Sequence, residues 1–304
     1  MKLFRAAVLF AVGGNSVWAA ADPQLLGLLM PDARVIAGVQ MDEAKAAPFG
    51  QFILSKVAPN AEFDKLKAAT GFDPRTDLTE WVGGATGPSG GLIAGHGTFP
   101  ASRLTNLATT AGAPTENYRG LLLIGGGSSS KDAAQDMAVA FLDGSTVVAG
   151  NRDLVKGAVD RWIGNTRSVG GLRAQAAEIS AGSQAWTVAA GLSQLLPNST
   201  TNVPPEAQVV QNVLSKIDQV SGGLNFGENI TMRGQALTAS AQDAQALADV
   251  FQFVISMAAT KNPLPVTPQV SASGTSVNFT LTLTEQQAEE LFRLREPAKV
   301  VAQR

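Results

Sequence analysis

The chain contains no cysteine. That absence excludes thiol nucleophiles, thiolate metal sites and dithiol redox relays. It also leaves the fold without disulfides, which a chain of 304 residues does not need in order to bury a core. Histidine occurs once, at His96, and a lone imidazole cannot assemble a multi-histidine metal centre. Aromatic faces are scarce, with one Tyr and four Trp, which weakens a site that stacks sugar rings. Neither sign of charge dominates: 23 Lys and Arg oppose 25 Asp and Glu, so there is no basic footprint for nucleic acid and no polybasic membrane patch. Long apolar runs are missing too. The nearest candidate, Ala244 to Ala259, is interrupted by Asp249, Gln252 and Ser256 at helical spacing and reads as an amphipathic or core helix.

What is present begins with a leader. Lys2 and Arg5 precede an apolar run from Ala6 to Val12. Small residues follow at Val17-Trp18-Ala19 and again at Ala19-Ala20-Ala21. Charge, short apolar run and small-residue cut site stand in the order of a secretory signal peptide, with cleavage after Ala19 or Ala21. No cysteine near the cut could carry a lipid anchor. Removing residues 1–21 takes away Lys2 and Arg5 and no acid, which leaves 21 basic against 25 acidic residues, a net charge of −4. With 16% charged and 45% hydrophobic residues the remainder is globular rather than disordered. The expected location is the periplasm or the exterior, without an integral membrane span in the mature form.

Periodicity predicts mixed elements along the rest. Leu25, Leu26, Leu28 and Leu29 suit a short helix stopped by Pro31, and residues 33–41 suit a strand. Helices are expected from Pro48, after Asn60, from Pro100 to Ala111 and after Asn151 as a cap. Phe72-Asp73-Pro74-Arg75 is expected to turn. Strands are expected at 91–99 and 118–124. A hairpin is expected about Asp143-Gly144. A Gly- and Ala-rich connection with one helix at 172–179 leads to a strand at 185–190. A polar loop at 197–205 and a helix at 206–217 come next. Strands at 219–226 and 230–239 and a long helix at 242–259 follow. Pro263, Pro265 and Pro268 mark an extended linker. In the last strand Val277, Phe279, Leu281 and Leu283 alternate with polar residues, and Thr284 with Gln287 forms a capping box on a closing helix at 285–294. The element order repeats. The expected fold class is α+β, with two similar modules of mostly antiparallel sheet covered by helices. Residues 22–164 form the first module, 165–183 the connecting segment and 184–304 the second.

Three stretches carry a resemblance: Met30-Pro31-Asp32-Ala33 with the leucines before it, the turn from Thr70 to Leu78, and the hairpin from Val139 to Gly150. Together they resemble exported bacterial proteins of uncharacterised activity built from duplicated α+β modules. The resemblance covers most of the first half and implies export and fold, with no activity to carry over.

Candidate chemistry is thin. Gly87-Pro88-Ser89-Gly90-Gly91 has the Gly-x-Ser-x-Gly spacing of a serine hydrolase, but Pro88 precedes the serine and a strand follows where a helix is required. His96, between two glycines on that strand, reads as a structural or surface histidine. Gly125, Gly126 and Gly127 lack the Gly-Lys-Ser/Thr end of a P-loop and the helix of a dinucleotide turn, so they read as a loop. Asp73, Arg75 and Asp77 read as a self-satisfied turn with an ion pair. Asn198, Asn229 and Asn278 open Asn-x-Ser/Thr triplets that matter only in a glycosylating host. No catalytic, cofactor-binding or metal-binding residue is assigned, and no cofactor. The expected function is non-catalytic: binding another protein or self-association. The alternatives are a small or lipidic ligand held between modules or under the long helix, and, last, a hydrolase using Asp73 and Asp77.

Overall fold

The computed structural model describes residues 20–57, 61–87, 90–125, 136–165, 170–191, 215–227, 229–261, 266, 268–288 and 290. The leader up to residue 19, Asn60, Ser89, the triglycine loop beyond Gly125, the polar loop at 197–205, residues 206–214 of the helix expected at 206–217, Pro263, Pro265 and the end of the closing helix lie outside them; the last residues of that expected helix are not helical, since 215–216 turn and Ile217 opens a strand.

The fold is α+β. Among the described residues twelve strands form one antiparallel sheet in the order β11-β12-β10-β9-β8-β1-β2-β3-β7-β6-β5-β4. At its centre β1 (Val35–Gln40) pairs with β2 (Leu78–Gly87) on one side and β8 (Ala185–Ala190) on the other. The path outward is alike in both directions. From β1 the sheet adds the hairpin β2 and β3 (Gly90–Gly97), and β7 (Thr146–Asn151) returns to dock on β3 with β6 (Met137–Phe141) beyond it. From β8 it adds the hairpin β9 (Ile217–Phe226) and β10 (Asn229–Thr238), and β12 (Ser276–Thr284) returns to dock on β10 with β11 (Gln269–Ser273) beyond it. Only the first half extends further, through β5 (Leu121–Gly125) and β4 (Thr115–Tyr118).

Helices cover the two faces unequally. Over the centre of one face lie α1 (Pro23–Leu28), α7 (Arg152–Ile163) and α8 (Leu172–Ser180). Their buried Leu25, Leu26, Val155, Val159 and Ala176 pack on Ile36, Val82, Ala94, Val148 and Val188, the residues that alternate inward along the central strands. Gly38 is required here, because a Cβ on it would stand 2.5 Å from the Trp186 ring. Short helices α2 (Met41–Ala46), α3 (Pro48–Val57), α4 (Ala61–Thr70) and α5 (Pro74–Asp77) link β1 to β2. On the opposite face Phe49 of α3 packs with Ile230 and Leu283. There α6 (Ala101–Thr110) lies by β5, and α9 (Ala241–Lys261) packs Ala244, Leu247 and Ala248 on Ala236 and Val277. No described helix is long and apolar enough to cross a membrane.

Three local expectations need correction. The strand placed at 118–124 is a hairpin, because Arg119 and Gly120 take positive φ (52° and 85°) and Asn117 Oδ1 accepts from the Gly120 amide. Asn151 stands at the start of α7 but does not cap it; its carboxamide oxygen accepts from the Gly91 amide across the sheet. The turn at Phe72–Arg75 opens into the one-turn helix α5, capped by Asp73.

Candidate functional site

The register aligns one polar row across four central strands: Gln40, Glu80, His96 and Thr146. It lies one step beyond the apolar row Gly38, Val82, Ala94 and Val148, at the end of the helix-covered face. Asp22 caps α1 directly above it. Its Oδ1 accepts from the Gln24 amide at 2.6 Å, and its Oδ2 lies 3.1 Å from His96 Nε2. His96 Nδ1 faces the Ser145 carbonyl oxygen and the Thr146 hydroxyl, each at 3.3 Å. A carboxylate on one ring nitrogen and a carbonyl on the other both accept, so the doubly protonated imidazolium satisfies the ring. The hydrogen bond to Asp22 accordingly raises the His96 pKa above its ordinary value, and His96 lowers that of Asp22. Burial pushes Glu80 the other way, upward, while its Oε1 accepts from the Asp22 amide at 2.9 Å.

Thr146, His96 and Asp22 have the connectivity of a nucleophile, base and orienting acid. Thr146 is only 1% exposed, however, so its hydroxyl cannot meet a substrate. The row therefore acts as a clasp that ties the start of α1 to β2 and β3. Both ring nitrogens of His96 have partners, which suits a structural role; the sequence does not single out Asp22 as one of them. The local signal is an aspartate before Pro23, an N-cap pattern that lies just past the leader boundary.

Asp73, Arg75 and Asp77 are brought together, in a closed network. The Asp73 carboxylate is 3% exposed and accepts from Arg75 Nε at 2.7 Å and Lys67 Nζ at 3.2 Å. Arg75 holds its pKa far below the usual carboxylate range. Asp77 Oδ2 accepts from the Asp73 amide at 2.7 Å. Both carboxylates hold the turn together. Among the described residues no three His, Asp or Glu side chains gather to hold a metal ion.

The opposite face of the sheet offers a different surface. Glycines inside the strands open its floor. In the first half an open apolar recess of about 320 Å³ is bounded by Val35, Gly83, Ala85, Ile93, Met137 and Ala149. In the second half a recess of about 330 Å³ is bounded by Ala185, Gly222, Leu224, Met232, Gly234 and Phe279. They occupy corresponding strands, β2, β3 and β7 in one half and β9, β10 and β12 in the other. Ile93 and Met137 remain 52% and 49% exposed, and Met232 38%. A Cβ at Gly83 would meet the Trp81 and Ile93 side chains at ordinary contact distance (3.5 and 3.8 Å), so no tight crossing requires a glycine there. Glycine in a strand interior costs entropy and supplies no packing, so its repeated use here leaves room for something else.

No family model matches the chain, and no curated protein matches it. Among solved structures, crystal form I of TP0453 is similar over 91% of this chain and 98% of that chain, with a TM-score of 0.48 and 10% identity. A likeness of that size supports no statement about function.

Proposed function

We propose that the chain is exported and serves, without catalysis, as a carrier for an apolar ligand, a lipid acyl chain laid on the open sheet face. One observation carries this reading: corresponding glycine-floored apolar recesses in the two halves, each of about 320–330 Å³, within the size range of small-ligand sites. Exposed apolar area of this kind on a soluble protein marks a surface that meets another apolar body. The leader pattern supports export, and the closed Asp73 and His96 networks support a role without chemistry.

The test is titration with a fluorescent fatty acid against wild type and the double variant Gly83→Val, Gly234→Val. Added side chains fill both floors, and β-branched residues suit a strand. Affinity should fall about tenfold or more, roughly the worth of a few buried methylenes. Thermal stability should hold or rise, because interior glycines are replaced. Equal affinity in a folded double variant refutes the carrier reading.

A second reading rests on a separate feature. The edge strand β11, Gln-Val-Ser-Ala-Ser, carries no charge and no proline to block a further strand. On this reading the protein adds a strand from a protein partner or a second copy. Ser271→Lys should then abolish association seen by light scattering; a wild type that stays monomeric at high concentration speaks against self-pairing.

A further inference from the structure

We propose that the leader is cut between Ala19 and Ala20, and that residues 20–22 form the mature N-terminal clasp of the sheet centre. This rests on the export reading above and goes beyond it, because the leader pattern by itself accepts cleavage after Ala19 or after Ala21. Hydrolysis of the bond by a signal peptidase adds water. The hydroxyl goes to the Ala19 carbonyl carbon and a proton to the departing Ala20 nitrogen; the new carboxyl group then gives up its proton and the amine takes one up, which leaves a carboxylate and an ammonium at neutral pH.

Where that ammonium lies decides between the cuts. Ala20 is exposed, so a charge at its nitrogen stays in water. Ala21 is fully buried (0% exposed) and its amide donates to Ser180 Oγ at 2.9 Å. A cut before Ala21 would place an ammonium at a fully buried position, on a neutral hydroxyl. A cut after Ala21 would discard a fully buried residue and its hydrogen bond to α8. It would also turn the Asp22 amide, which donates to Glu80 Oε1, into a charged terminus within the clasp. Of the three starts, the one at Ala20 alone keeps Ala21 on Ser180 without burying a charge, and it leaves the Asp22 amide on Glu80 and the Asp22 carboxylate on His96 and Gln24. Ala21 and Asp22 thus join α8 to β2 and β3 across the middle of the sheet.

The protein is expressed with its full leader in a bacterial host, fractionated, and its intact mass measured. A periplasmic species beginning at Ala20 is expected. A periplasmic species beginning at Ala21 or Asp22 overturns this assignment and leaves export standing. An uncut cytosolic chain overturns both.

Two chains released from a fusion without extra residues test the clasp separately. The chain starting at Asp22 should melt roughly 2–8 °C below the chain starting at Ala20, for one lost buried residue and hydrogen bond. Ser180→Ala should lower the melting temperature of the Ala20 chain more than that of the Asp22 chain. Equal melting temperatures of the two unmutated chains would overturn the clasp.

Discussion

At the residue scale, His96 shows how one side chain can be correctly typed and still misunderstood. Its strand and its structural role were legible, since Gly95 and Gly97 flank it on a strand that pairs with β2 and β7. Its partner was not, because Asp22 and His96 are 74 residues apart and meet only when α1 lies down on the sheet. The pairing sets a pH signature. His96 is raised above its ordinary value of 6.5, so the stabilisation it gives is present in full below pH 6.5 and is lost as pH rises through its folded value. Asp22 is lowered below its ordinary 3.8, so its share is present above that pH and is lost as pH falls through its folded value. Glu80 is raised by burial above its ordinary 4.5, which favours the fold at acid pH and opposes Asp22 there. The melting temperature of His96→Gln should therefore fall furthest below wild type at about pH 5–6 and approach it above pH 8. Thermal scans across pH check this; a gap that does not change with pH would remove the imidazolium from the account.

At the element scale, signals that depend on neighbours in sequence were read well. The Thr284 and Gln287 capping box forms as expected, with the Thr284 amide donating to Gln287 Oε1 at 2.8 Å and the Gln287 amide donating to Thr284 Oγ1 at 3.3 Å. The split between β4 and β5 was missed because Asn117-Arg119-Gly120 needs positive φ at a non-glycine residue, which composition does not announce. Glycines inside strands were the least legible of all, since one residue type serves opposite ends. Gly38 makes way for Trp186 on the covered face, whereas Gly83 and Gly234 leave the other face bare. The contrast yields a test. Gly38→Ala should destabilise by about 1–3 kcal/mol, because the methyl has no space against the indole. Gly83→Ala should be neutral or slightly stabilising. Urea denaturation of both measures the difference, and equal effects would contradict the assignment of the two faces.

At the scale of the whole molecule, the repeated element order reads out as a repeated path. A central strand, a hairpin, a crossing helix and a returning pair occur on each side of the β1 and β8 contact. Fold class followed from periodicity because each amphipathic segment declares one buried face. The candidate binding surface did not, because it depends on which part of the sheet's second face α3, α6 and α9 leave open. That is set by where those helices pack on the sheet rather than by any local pattern. The apolar face is the feature on which the function rests. Its most direct test is native mass spectrometry of the protein purified from exporting cells without detergent and then offered a lipid extract. The account predicts lipid-mass adducts on the wild type that are depleted in the Gly83→Val, Gly234→Val double variant. A bare polypeptide mass in repeated preparations, before and after exposure to the extract, would contradict it.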